Sequence, residues 1–251
     1  MNGLLVRVGI DQTAGEWNSP VDPKTGKFIY VPIPEDDYGL RRGLVHRYNS
    51  LIPRLARFGA TLPSHLRGQP MHLDPDFSTL TYGDCTGRAT QIRRLGLGDL
   101  LVFYAGLTHA DVRSGDLVYA LIGLYRIWEI VPSCEVPKRR WHENAHTRRA
   151  PGRSDDYVVR AIPSGSGRLE RCIPIGEYRD RAYRARHDVL KAWGGLSVKD
   201  GYLQRSGRLP RFLDAERFYA WFKKQRPTLV RKNNLPCERS RGGRVSLELA
   251  F

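Results

Sequence analysis

Gly98-Asp99 followed by LLVFYAGL (residues 100–107), the polar turn THADVRSGD (108–116) and LVYALIGLYRIWEIV (117–131) decide the fold of this chain. Both long runs are apolar with little alternation, which in strands means burial on both faces. A Gly-Asp pair precedes each run; Gly accepts positive φ and Asp caps a turn, so the spacing predicts two strands joined as a hairpin. Working outward, LLVRVGI (4–10) reads as a buried strand and FIYVPI (28–33) as a second one ending in P-I-P, where proline cannot donate to a ladder. The loop between them, residues 11–27, is too long for a simple hairpin, and such loops usually carry function.

RRGLVHRYNSLIPRLARF (41–58) has apolar residues at helical spacing but is cut by Pro53, which predicts one or two short helices. Residues 72–95 pass from an acidic loop into a short helix. Further on, DYVVRAIP (156–163) is strand-like, and SGSGRLERCIPIGEY (164–178) is a turn and strand. YRARHDVLKAW (183–193) is a helix stopped by Gly194-Gly195, LDAERFYAWF (213–222) is a last helix, and the tail CERSRGGRVSLELAF (237–251) is a basic loop with a strand-like end. The expected fold is α+β, one domain over residues 1–251, with a mixed or antiparallel β core and a basic helical C-terminal region. The central pattern also resembles the barrel strands of PUA-like domains, although an ordinary antiparallel core has the same pattern.

Charge is distributed unevenly. Residues 1–125 carry 13 Lys+Arg against 12 Asp+Glu, whereas residues 126–251 carry 28 against 14, so the formal +15 sits almost wholly in the second half. Of the 41 basic residues 33 are Arg, whose planar fork suits phosphate and base edges. A GC-rich genome would favour Arg over Lys but would not confine the excess to one half. A polyanion is the expected partner, DNA before RNA, or a modified nucleotide. The cysteines (Cys85, Cys134, Cys172, Cys237) form no C-x-x-C pair and read as reduced thiols. No stretch approaches the roughly 18 apolar residues of a membrane span, and the start lacks a signal-peptide pattern. A cytoplasmic protein without a membrane partner is expected.

Four constellations can carry chemistry. In the first loop Asp11 leaves a buried strand, followed by Thr13 and Asn18; the group can orient a ligand or place a base, and an Asx-turn explains the same residues equally well. His72, Asp74 and Asp76, followed by Tyr82, Asp84 and Arg88, can hold a divalent cation such as Mg²⁺ or Mn²⁺, because hard cations prefer oxygen. Solvated turn acids give the same D-x-D spacing, and Arg88 can simply neutralise Asp84. His142 and His146 stand in H-E-x-x-H order, but the flanks PKRR and TRRAPGR are unlike the apolar helix of a metalloprotease. A basic loop touching phosphate and base, with Arg148 and Arg149, fits better. Last come Arg168, Arg181, Arg184, Arg186, Arg205 and Arg208 with interleaved aromatics, which suit phosphate contact with stacking, or equally a solvated face over core aromatics.

Taken in order, D-x-T-x-G-x-x-N-S-P (11–20), P-I-P (32–34), H-L-D-P-D (72–76), Y-G-D (82–84), G-D-L-L-V-F-Y-A-G-L (98–107) and I-G-L-Y-R-I (122–127) resemble the third family of nucleotide-modification-associated domains. The resemblance implies an α+β protein of bacterial and phage systems that make or handle hypermodified DNA bases. It makes Asp11, Asp74, Asp76 and Asp84 candidate functional residues. The expected function is a DNA-modification-system protein that binds nucleic acid or a modified nucleotide and acts on the base. A non-catalytic PUA-like reader that extrudes the base and a metal-dependent restriction-type nuclease using Asp74, Asp76 and Asp84 are the alternatives.

Overall fold

The apolar hairpin is the centre of the computed structural model, which describes residues 1–110, 117–204 and 206–235. In chain order the elements are β1 (Gly3–Arg7), β2 (Ser19–Val21), β3 (Ile33–Pro34), α1 (Ile52–Arg57), β4 (Met71–His72), β5 (Thr81–Cys85) and α2 (Thr86–Ile92). The hairpin strands β6 (Leu100–His109) and β7 (Leu117–Pro132) follow. Then come β8 (Asp156–Ala161), β9 (Gly167–Pro174), β10 (Gly176–Arg179), β11 (Ala182–Ala185), α3 (His187–Trp193), α4 (Ala215–Lys224) and β12 (Leu229–Val230).

The main sheet runs β1-β6-β7-β8-β5 and is mostly antiparallel; β1 and β2 both lie parallel to β6, one after the other along its length. On its other edge β7 pairs first with β9 and then, beyond Ile127, with β8, and β12 extends the sheet from β9. These described strands form an open, branched path and not a closed barrel. The ladder to β9 shifts register around Gly123, where a Cβ would sit 2.5 Å from the Phe77 ring and 2.9 Å from the Gly167 carbonyl. The interior glycine of β7 therefore marks a close approach of chain to chain.

Both faces of the hairpin are covered, as its unbroken apolar runs require. Leu101, Phe103, Ala105, Ala120 and Ile122 enter one core with Tyr30, Phe77 and Tyr82. Leu100, Val102, Tyr104, Tyr119 and Leu121 enter a second with Trp193 of α3 and Phe218 and Phe222 of α4. A smaller cluster around Tyr48, Leu51 and Leu55 packs against Val31.

Several local expectations change. Residues 28–31 are buried as read, but the strand expected over 28–33 reduces to β3 and a single bridge from Phe28 to Val21. Side chains take the place of a ladder: Tyr30 N donates to Asn234 Oδ1 and Val31 N to Ser19 Oγ. Two short helical pieces form within 41–58 as read, a single turn over Tyr48–Leu51 and then α1, but Pro53 opens α1 instead of cutting a longer helix, because a first-turn residue has no intrahelical N–H bond to lose. The helix expected from Tyr183 begins only at His187, since Ala182–Ala185 pairs with β10. The basic second half is thus strand as much as helix. The turn at 111–116, Arg205, Cys237 and the tail lie outside the described residues.

Candidate functional site

Segments far apart in sequence meet beyond the C-terminal end of β1. The β3–β4 ladder sets Ile33 opposite His72, which brings Glu35 beside the imidazole. The β5–β8 ladder sets Cys85 opposite Asp156. The loop carrying Asn144 and His146 then crosses β5 at Gly83, where a Cβ would lie 2.3 Å from His146 Cδ2 and 2.8 Å from Asn144 Oδ1. Only glycine lets that imidazole lie over the strand.

Asp74 stands between the two imidazoles. Its Oδ2 is 3.8 Å from His72 Nε2 and 3.4 Å from His146 Nε2, and the two rings meet edge to face at 4.9 Å. Gly83 N donates to Asp74 Oδ2 at 2.8 Å and Asn144 Nδ2 to Oδ1 at 3.1 Å. Each histidine is held from behind by a second carboxylate: His146 Nδ1 donates to Asp156 Oδ1 and His72 Nδ1 to Glu35 Oε2, both at 2.6 Å. One ligand atom from each of His72, Asp74 and His146 lies within 4.8 Å of the others, and all three residues are buried.

The electrostatics follow from this packing. Burial alone would push His146 down, but hydrogen bonds to Asp156 and Asp74 outweigh it and hold the imidazolium up to about 10. Burial would raise Glu35, yet His72 and Arg149 hold its carboxyl down at about 2. Arg149 grips Glu35 through Nε and Nη2 at 2.6–3.1 Å while its side chain remains 39% exposed. On another wall Arg88 Nε lies 3.0 Å from Asp84 Oδ2 and Arg88 Nη2 donates to the Tyr82 hydroxyl, which donates to Asp84. Burial above all, with the neighbouring carboxylates, pushes the Tyr82 phenol well above its ordinary range. Arg7, Arg88 and Arg149 thus line a cleft of about 330 Å³ with His72, Asp74 and His146. That volume is at the lower end of small-molecule sites.

The sequence matches the family model described as nucleotide modification associated domain 3 over residues 2–212. The chain belongs to this family. The match includes every cleft residue named above and stops short of α4. No curated protein and no solved structure matches the chain.

In this nucleotide-modification-associated domain the candidate residues sort by position. His72, Asp74, Tyr82, Asp84, Arg88, His146 and Arg149 line the one cleft. Asp76 is turned away from it, pairing with Arg148 Nη2 at 2.6 Å and accepting from Asn233 Nδ2 at 2.9 Å. Asp11 accepts from Thr13 N and Ala14 N and pairs with Arg7 at 3.1 Å, so its loop is an Asx-turn closed by an ion pair. Thr13 is exposed outside the cleft lining, and buried Asn18 donates to the Gly106 carbonyl. His142 is exposed and lends its carbonyl to Arg148. Arg168 is fully buried over the Phe28 ring, where burial lowers its guanidinium to about 10, so it faces no phosphate. Arg184 and Arg186 pair with Asp200 and Asp188, while Arg181 and Arg208 are exposed. Glu35 and Asp156 were not among the sequence candidates. Their partners lie 37 and 10 residues away, a separation with no motif spacing to betray it.

Proposed function

We propose that this protein binds a nucleotide, free or presented by a DNA strand, in the cleft between Arg88 and Arg149 and acts on it there as an enzyme. The observation that carries the reading is the convergence of His72, Asp74 and His146 on the floor of a cleft with three arginines in its walls. Buried imidazole–carboxylate pairs are expensive to maintain, and perturbed titratable groups gathered in a cleft mark functional sites. Arg7 and Arg88 are paired with Asp11 and Asp84, whereas Arg149, bonded to Glu35 through Nε and Nη2 and 39% exposed, has its Nη1 edge left for the anionic part of a nucleotide, and the family name supports the substrate class.

The same geometry weighs against the two alternatives. A reader that extrudes a base needs aromatic or apolar walls to stack it. Here Val8, Ile33 and Pro34 are the apolar side chains of a lining otherwise dominated by ionisable groups, and the Tyr82 hydroxyl is tied to Asp84 and Arg88. A nuclease built on Asp74, Asp76 and Asp84 needs the three carboxylates together, and they face His146, Arg148 and Arg88 respectively.

Cys85 lines the cleft, and Cys134 is exposed outside its lining, so one chain carries both probe and control. Alkylation followed by peptide mass analysis should show Cys85 slowed roughly tenfold at a ligand concentration ten times Kd, with Cys134 unaffected. If mononucleotides, nucleoside triphosphates and single- and double-stranded oligonucleotides all leave Cys85 unprotected, the reading is wrong.

A further inference from the structure

We infer that His72, Asp74 and His146 form a binding site for one divalent transition metal, with Glu35 and Asp156 as the carboxylates that orient the two imidazoles. As an account of what acts on the nucleotide this rests on the reading above, but as a statement about ligands it is tested without any nucleotide.

Three observations carry it. First, both histidines use Nδ1 to donate to a carboxylate at 2.6 Å, which leaves the two Nε2 atoms facing the same oxygen of Asp74. That is the arrangement in which metal-bound histidines are held, the outer carboxylate fixing tautomer and ring orientation. Second, the spacing fits. Nitrogen and oxygen ligands about 2.0–2.2 Å from a tetrahedral ion lie roughly 3.3–3.6 Å apart. The two imidazole nitrogens stand 3.4 and 3.8 Å from Asp74 Oδ2, and the widest separation in the set, 4.8 Å, has to close by roughly 1.2–1.5 Å.

Third, among the described residues no arginine or lysine pairs with Asp74; the charge it faces is the proton on His146, which a metal at Nε2 would displace. Its side chain is 3% exposed, and among the described residues its ion-pair partners are the two imidazoles alone. Asp11, Asp76 and Asp84, by contrast, each have an arginine. A buried carboxylate so placed is suited to a bound cation.

The donor set selects the class of ion. Two imidazole nitrogens and one carboxylate oxygen suit zinc, iron and their first-row neighbours, whereas Mg²⁺ and Ca²⁺ prefer oxygen throughout. The site therefore differs from a Mg²⁺ site on Asp74, Asp76 and Asp84, two of which are neutralised by arginine. Three protein ligands leave coordination positions open, as in catalytic sites, and all three residues line the cleft.

The test uses the full chain, stripped with a chelator and titrated separately, without oxygen, with Zn²⁺, Fe²⁺, Co²⁺, Mn²⁺ and Mg²⁺. One equivalent of a transition ion should bind more tightly than Mg²⁺, and X-ray absorption on the Zn²⁺- or Co²⁺-loaded wild type should show two imidazoles at the metal. Asp156→Asn keeps an acceptor for His146 Nδ1 and should weaken binding about 10- to 100-fold. No binding, a preference for Mg²⁺, a metal shell without imidazole, or an Asp156→Asn variant of unchanged affinity would each overturn the assignment. Cys85 protection by nucleotide is measured on the metal-free protein, so failure of one experiment leaves the other standing.

Discussion

Asp11 and Asp74 are both aspartates in loops between strands, both buried, and both hydrogen-bonded to backbone amides. They differ in where their remaining capacity goes. Among the described residues Asp11 draws on its own neighbourhood, accepting from Thr13 N and Ala14 N and facing the guanidinium of Arg7. Asp74 is satisfied from a distance, by Gly83 N and Asn144 Nδ2, and its other neighbours are imidazoles. A carboxylate closed by its own turn is part of the chain's path. One held in place by residues 9 and 70 positions away, with an oxygen facing two imidazoles, is positioned for a ligand.

Substitution by asparagine separates the two most sharply. At Asp11 the amide keeps the oxygen that the Asx-turn needs but removes the charge facing Arg7, whose side chain is only 10% exposed. Breaking such a buried pair costs about 3 kcal/mol, so Asp11→Asn should lower the unfolding midpoint in urea clearly while metal affinity stays at the wild-type value. A variant that kept its stability and lost the metal would reverse the assignment of the two loops.

Gly83→Ala comes next. The added Cβ meets His146 Cδ2 at 2.3 Å in a packed interior, so strand or imidazole must shift. Overpacking of this kind costs about 1–3 kcal/mol, and it should reduce metal affinity along with stability. Unchanged affinity would mean that His146 is not a ligand.

At Asp74 the expected change in stability is smaller and the change in function larger. Asparagine presents one donor where the aspartate accepted from both Gly83 N and Asn144 Nδ2, so about 1 kcal/mol is lost with one hydrogen bond, while His146, unlike Arg7, keeps a second carboxylate in Asp156 and can give up its proton. Metal binding should nevertheless be abolished. Calorimetry on the folded variant checks this, and a retained metal would leave Asp74 as packing.

How much of this was legible in the sequence depends on the range of the interaction. The hairpin was readable because burial on both faces writes an unbroken apolar run, and the α4 helix because its period and its Asp214 cap are local. Local chemistry also marked His72, Asp74 and Arg88 as candidates. The strand expected over 28–33 failed because the amides of Tyr30 and Val31 donate to the side chains of Asn234 and Ser19, which no periodicity announces. Glu35 and Asp156 were invisible for the same reason. H-E-x-x-H suggested a helical pair of histidines, yet the chain departs from helix between them: Asn144 is extended and donates to Asp74, His142 faces solvent, and His146 alone enters the cleft. Composition misled in a different way, since a count of arginines cannot show that Arg168 is buried or that Arg148 and Arg184 already have partners.

That last point sets the smallest expected effect, in the basic second half as against the cleft. If Arg181, Arg184 and Arg186 each neutralised one phosphate, replacing all three by Gln would flatten the slope of log affinity against log salt by about 2.7 on duplex DNA. The structure gives Arg184 to Asp200 and to the carbonyls of Arg179 and Lys199, and gives Arg186 to Asp188 at 3.1 and 3.2 Å, whereas Arg181 stands exposed at the β10–β11 turn. An arginine already paired with a carboxylate adds little net charge to the surface, so it releases few counterions from DNA. The triple variant should therefore change the slope by about 0.9, the share of Arg181 alone; the exposed Arg186–Asp188 pair contributes at most about 1 kcal/mol to stability, and what further loss there is comes from Arg184, 16% exposed and bonded to two carbonyls. Fluorescence anisotropy across a salt series on wild type and variant measures it. A change near 2.7 would mean that the pairs to Asp188 and Asp200 open on DNA, and that the polyanion surface extends across β11 as well as the cleft.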